Sequence, residues 1–162
     1  MKSRLLFAVL LAVAVMMTAS TAFAAPSAAQ GATPFKGTIQ AVETHVVAFP
    51  TLYVNLNGSG HATHLGRYTV SNQSVVDLLT FAGTGTAHIV AANGDSIFAD
   101  VVGQGVTSGP DFFSIVEKYT ITGGTGRFAG ATGSFTVERL LSAITGVSSG
   151  TFEGTIVLPH GK

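Results

Sequence analysis

Three residues have the types and the spacing to carry chemistry together. Glu117 and Tyr119 stand two apart in a run rich in Ile, Val and Phe, and Arg139 lies in a second run of the same kind. Residues two apart on an extended strand share a face, so Glu117 and Tyr119 point the same way. Pairing the two runs antiparallel with Ile121 opposite Phe135 sets Tyr119 against Val137, Glu117 against Arg139 and Ile115 against Leu141. A carboxylate facing a guanidinium among apolar neighbours reads as a partly buried ion pair, because either charge alone would be costly there. Inside a lumen the pair would anchor the polar end of a ligand, with Tyr119 donating a hydrogen bond to a carbonyl or hydroxyl. As an acid or base, Glu117 would be tuned by burial, which raises its pKa, against Arg139, which lowers it. The structural alternative is a pair that neutralises itself in the core or at a subunit interface. Glu117, Tyr119 and Arg139 are thus the candidate catalytic residues.

Other constellations are weaker. Asn93-Gly94 between two strand-like runs fits the positive-φ positions of a type I′ hairpin. That turn puts Asp100 on one face with Phe98 and Val102, across from Ala87 and Ile89. Asp100, Phe98 and Phe135 are the candidate ligand contacts, the alternative being that Asp100 sits in water at the mouth of the fold. No metal site is expected: His61 and His64 are three apart near a strand and should face opposite ways, His88 is isolated, and the chain has no Cys. Gly146-Val147-Ser148-Ser149-Gly150 matches the nucleophile formula of serine hydrolases, with Glu153 and His160 following in order. It lacks the strand-to-helix elbow that the chemistry needs. The glycines of Gly123–Gly133 do not make a dinucleotide site either, since the third glycine falls one residue late and a strand follows. No cofactor is expected.

The elements that must hold these residues are strands. From Phe35 onward no helix-length stretch shows apolar residues at three-and-four spacing. Short runs rich in Val, Ile, Thr, Phe and Tyr recur between Gly, Asn and Pro signals. The expected strands are Lys36–Val47, Leu52–Asn57, Ala62–Leu79 with a bend at Gly66 or near Asn72, Gly85–Ala92, Asp95–Val106, Phe112–Thr122, Gly133–Ala143 and Ser149–Leu158. Reversals are expected at Asn57-Gly58-Ser59-Gly60 and at Ser108-Gly109-Pro110-Asp111. About eight strands in 162 residues make one all-β domain, a sandwich or a barrel. With only 10% charged residues to guard open edges, a closed barrel is the simpler solution.

Composition bounds the partners. Eight basic residues against eight acidic ones leave no surplus for holding phosphates, so nucleic-acid binding is disfavoured. Residues 1–24 have the form of an export signal: Lys2 and Arg4, an apolar run from Leu5 to Met17, then Ala22-Phe23-Ala24 before the expected cleavage. The run is shorter than the roughly 20 residues of a membrane span, so no span is expected. A secreted or periplasmic location follows. Residues 25–34, rich in Ala, Ser and Pro, read as a flexible leader, and residues 35–162 as the domain.

The segment Gly123-Gly124-Thr125-Gly126-Arg127-Phe128-Ala129-Gly130-Ala131-Thr132-Gly133 resembles the Gly-Gly-Thr-Gly-(Lys/Arg)-Phe-x-x-Ala-x-Gly segment of the allene oxide cyclase barrel-like superfamily, which includes dirigent proteins. Ala62-Thr63-His64-Leu65-Gly66-Arg67 and Ala91-Ala92-Asn93-Gly94-Asp95 are similar to stretches of its secreted bacterial members. The resemblance implies an eight-stranded antiparallel β-barrel with a central cavity, often a homodimer or homotrimer. It assigns no catalytic residue, because the known sites of that superfamily lie outside the shared loop. The loop's expected role is a compact turn with Phe128 tucked against one end of the barrel.

Three functions remain: a carrier holding a small apolar molecule, a cofactor-free isomerase or cyclase acting by confinement, and a structural protein whose barrel is filled by its own side chains. A cavity of at least about 300 Å³ lined by Glu117, Tyr119 and Arg139 would favour the first two.

Overall fold

The computed structural model describes residues 31–159. The expected export signal and the leader up to residue 30 lie outside them. Eight strands alternate inward apolar and outward polar positions, the pattern of a sheet buried on one face. They are β1 (Ala32–Ala48), β2 (Thr51–Ala62), β3 (Gly66–Asp77), β4 (Ala82–Ala91), β5 (Ser96–Thr107), β6 (Phe112–Gly124), β7 (Thr132–Ser142) and β8 (Val147–Val157). Each pairs antiparallel with the next, and β8 returns to β1 to close the barrel. Among the described residues no helix is long and apolar enough to cross a membrane.

The expected all-β barrel is the observed one, with local differences. Ala32–Pro34 belong to β1, paired with β8, rather than to the leader. Asn57-Gly58-Ser59-Gly60 is not a reversal. It lies within β2, opposite Val42 to Ile39 of β1, where the Tyr68 hydroxyl reaches across to donate to the Thr38 carbonyl at 2.9 Å. The chain turns instead at Thr63-His64-Leu65, so the long third run begins only at Gly66. The reversal at Ser108–Asp111 stands between β5 and β6.

The Asn93-Gly94 hairpin joins antiparallel strands as expected, but through a different turn. Gly94 alone takes a positive φ, +89°, and its N–H donates to the Ala91 carbonyl at 2.9 Å. The loop is therefore one residue longer than a type I′ turn, with Val90 opposite Ser96, Ile89 opposite Ile97 and Thr86 opposite Asp100. A one-residue slip exchanges the two faces of a strand. Ile97 and Ala99 are buried, while Phe98, Asp100 and Val102 face outward.

The barrel is solid at one end and hollow at the other. At the solid end Phe35, Phe135 and Phe152 pack with centroids 4.9–5.2 Å apart, and Tyr68 meets Phe152 at 6.2 Å. Only about 10 Å³ of space remains among these side chains. The glycine-rich connection between β6 and β7 closes this end. A short 3-10 turn, Gly126–Phe128, drives Phe128 fully inside, with Ala131 beside it. The Asp95 carboxylate holds the turn by accepting the Arg127 N–H at 3.3 Å, and it occupies the space a Cβ on Gly126 would need. Gly126 also has φ +55°, a conformation in which a side chain is strained, so glycine suits the position.

Removing the plug should loosen this end first. Phe128→Ala is expected to lower stability by about 3 to 5 kcal/mol, read from urea unfolding. A loss below about 1 kcal/mol would mean that the ring does not close the core.

Candidate functional site

The hollow end contains a cavity of about 260 Å³. Its walls are apolar, with Val54, Leu56, Val101, Phe113, Ile115 and Leu141 prominent, and its floor is charged. Glu43 from β1, Glu117 from β6 and Arg139 from β7 all reach this floor. Each lies on the inward face of its strand because it stands an even number of positions from the apolar residues that face the core, such as Ala41, Tyr119 and Val137.

The cluster is built around the guanidinium. Arg139 grips Glu117 through two parallel bonds, Nε to Oε2 at 3.0 Å and Nη2 to Oε1 at 3.1 Å. Its Nη1 donates to Glu43 Oε1 and to Ser148 Oγ at 3.1 Å. The second Glu43 oxygen, Oε2, lies 3.0 Å from His45 Nε2, and His45 is partly open to the cavity mouth. The Tyr119 hydroxyl accepts from Asn72 Nδ2 at 3.1 Å and points toward Glu117 Oε2 at 3.5 Å. Ser74 Oγ in turn donates to Asn72 Oδ1. No buried side-chain nitrogen or oxygen among the described residues lacks a partner, which is what lets so polar a group persist inside.

Close approach by Arg139 depends on β8. A Cβ on Gly150 would stand 2.7 Å from the Arg139 Cα and Cβ, so the bare backbone there gives the arginine its place against the wall.

The electrostatics fix two protonation states. Burial disfavours the Arg139 cation, but hydrogen bonds and charge from Glu117, with the charge of Glu43, outweigh it and hold the guanidinium above its ordinary range. Burial also pushes the Tyr119 phenol above the usual tyrosine value. The Glu117 charge adds to that shift, against smaller opposing effects of Asn72 and Arg139. Tyr119 is a neutral donor at any physiological pH. Burial raises the Tyr68 phenol in the same direction.

The structure brings Glu117, Tyr119 and Arg139 together, but in another register. Ile121 pairs with Gly133, Tyr119 with Phe135 and Glu117 with Val137. Glu117 and Arg139 are therefore diagonal neighbours rather than opposite ones. The two-residue shift preserves the face, so the ion pair survives. Tyr119 lies just beneath the floor and does not line the cavity, whose volume is slightly under the 300 Å³ threshold. Phe135 belongs to the solid end, stacked on Tyr119 at 4.8 Å. Asp100 and Phe98 are on the outer wall, where Phe98 stacks on His88 at 5.0 Å. The hairpin slip described above removes both from the lumen.

Sequence reasoning missed Glu43, His45, Asn72 and Ser148. The signal for the first two was present, since Ile39, Ala41, Glu43 and His45 run at period two. Ser148, from the hydrolase-like segment, is a buried partner of Arg139 at the start of β8. Glu153 is on the outer wall, and His160 lies outside the described residues. Among the described residues no three His, Asp or Glu groups converge as a metal site.

The chain matches no protein-family model and no curated protein by sequence. By structure the barrel has the fold seen in dirigent proteins. It aligns with the pterocarpan synthase dirigent protein GePTS1 at a TM-score of 0.56 and 13% identity, over 78% of this chain and 89% of that one. It also aligns with the pterocarpan synthase dirigent protein PsPTS1 at 0.57 and 12%, over 80% and 97%. The shared property is the fold.

Two outcomes test this site. Arg139→Met leaves two buried carboxylates uncompensated and should lower stability by about 3 to 5 kcal/mol at neutral pH. The triple variant Glu43→Gln, Glu117→Gln, Arg139→Met should recover most of that loss in chemical unfolding, and no recovery would mean that the charges are not coupled.

The tyrosines give a second test. Both folded phenols hold their protons above the unfolded value near 10, so their contribution is complete below about pH 10 and is lost as pH rises further. Stability should fall there by up to about 1.4 kcal/mol per pH unit for each tyrosine. Tyr68→Phe and Tyr119→Phe should each flatten that decline in thermal melts across pH.

Proposed function

We propose that the protein is an exported carrier whose barrel holds a small, mainly apolar molecule with one polar end seated on the Glu43–Arg139–Glu117 floor. The observation that supports this reading most is the cavity itself: an apolar well, open at one end, over a satisfied polar base in a barrel otherwise packed solid. A barrel filled throughout by its own side chains would have no such space. Two carboxylates against one guanidinium leave the floor rich in acceptors, so the polar end that fits it is a hydrogen-bond donor, a hydroxyl or an amine. Export rests on the signal-like residues 1–24.

A second reading has its own support. Glu43, Glu117 and Arg139 surround one end of the cavity, with the neutral Tyr119 donor directly behind Glu117. A carboxylate could there move a proton on a substrate held in one conformation while Arg139 stabilises developing negative charge. This would be a cofactor-free isomerase or cyclase. The dirigent proteins sharing the fold are described as pterocarpan synthases, which lends this reading a precedent of architecture but no residue. A homodimer or homotrimer is compatible with either reading.

The test fills the well without touching its floor. Gly105 lines the cavity, and a Cβ added there meets nothing closer than 3.7 Å. Gly105→Phe should weaken binding of an environment-sensitive apolar dye by at least about tenfold, since it takes up the space of a buried ring. Mass spectrometry of molecules that co-purify with the exported protein identifies the natural occupant. If dye affinity is the same in Gly105→Phe and the parent, the cavity is not the binding site. Turnover of the identified compound, lost in Glu117→Gln, would select the enzyme over the carrier.

A further inference from the structure

The two ends of the barrel treat large apolar side chains in opposite ways. At the solid end, the connections between β2 and β3 and between β6 and β7 turn Leu65 and Phe128 inward and leave Thr63, His64 and Arg127 outside. The connection between β4 and β5 there is Ala92-Asn93-Gly94-Asp95, with no large apolar residue. At the hollow end, three of the four connections present one. Phe49 between β1 and β2 is 73% exposed, Leu79 between β3 and β4 is 68%, and Ile144 between β7 and β8 is 74%. Phe112, where β6 begins, is exposed, and so are Val47 beside Phe49 and Phe81 beside Leu79. These residues form a collar around the cavity mouth, and the apolar wall of the cavity runs into it through Phe81, Phe113 and Leu78.

Charge is distributed just as unevenly. Among the described residues, the mouth connections and the strand ends they join carry Asp77 and Asp111 and no Lys or Arg. The basic side chains stand elsewhere: Lys36, Arg67 and Arg127 toward the solid end, Lys118 on the outer wall and Arg139 inside.

We infer that this collar docks the barrel, mouth down, on a zwitterionic lipid surface, so that the cavity exchanges its occupant directly with the hydrocarbon phase. The inference builds on the proposed carrier or enzyme role of the cavity. Exposed apolar groups ringing an opening are removed from water when they enter the interface, and the gain scales with the area buried. The charge pattern selects the partner. An anionic membrane would repel Asp77 and Asp111 and finds no Lys or Arg at the mouth to hold it. A second copy meeting mouth to mouth would bring two acidic rims together and shut both cavities. A neutral phospholipid surface does neither.

The experiment is sedimentation of the exported protein with vesicles of pure phosphatidylcholine. Binding is expected, little changed by high salt because it is not electrostatic, and weaker on vesicles containing phosphatidylglycerol. The triple variant Phe49→Ser, Leu79→Ser, Ile144→Ser changes only exposed side chains and should melt like the parent. It should lose at least about tenfold in vesicle affinity, since burying one such side chain corresponds to about that factor. Its dye binding in vesicle-free buffer should be unchanged. Parent protein that stays in the supernatant overturns the inference, as does a variant that sediments equally well. Light scattering that shows a parent dimer, a monomeric variant and no vesicle binding in either assigns the collar to a second copy and overturns it too. Dye that binds neither protein while the parent still sediments would remove the cavity function and leave the docking in place.

Discussion

The buried guanidinium of Arg139 is the constraint on which the rest of the molecule turns. It contacts Glu43 on β1, Glu117 on β6 and Ser148 on β8 from its own place on β7. One side chain thus spans four strands, including the seam where the last strand meets the first. Taking such a charge out of water is tolerable only when it is paired and well hydrogen-bonded, and here each of its three nitrogens has an acceptor. The carboxylates it gathers cannot be covered by aliphatic side chains without losing their solvation. The chain leaves them facing a space instead. Below that level the core is aromatic and full, and above it the barrel is open.

This division explains why the polar floor and the aromatic core are one design rather than two. Tyr119 belongs to both. Its ring stacks on Phe135, and its hydroxyl links Asn72 on β3 to the carboxylate of Glu117 on β6. An aromatic with a polar tip is suited to the boundary between a dry region and a hydrated one. Asn72 and Ser74 extend the same network along β3, so most of the barrel's circumference contributes to holding the floor.

Much of this was legible in the sequence, for reasons that differ by feature. The strands follow from apolar alternation, and the ion pair from two charges placed on apolar faces. The pair withstood an error of two positions in register because an even shift keeps a side chain on its face. The hairpin at Gly94 shows the opposite case. One extra residue in its loop, invisible in the letters Asn-Gly, sends Asp100 and Phe98 to the outer wall. Glycine was the other source of error. At Gly58 and Gly60 it marks close packing within a strand, while at Gly94 it marks a turn, and only the surrounding contacts tell the two apart. The alternation of Ile39, Ala41 and Glu43 marks Glu43 as inward-facing, but its partner Arg139 lies across the seam, far away in sequence, so no local pattern gives the pairing.

The strand directions have a practical corollary. Residue 31 and residue 159 both stand at the plugged end, because β1 begins there and β8 finishes there. Anything joined to either terminus of the folded body, such as an affinity handle, a reporter or a surface tether, departs from the face opposite the opening. A tether fixed at residue 31 or at residue 159 therefore leaves from the side away from the entrance.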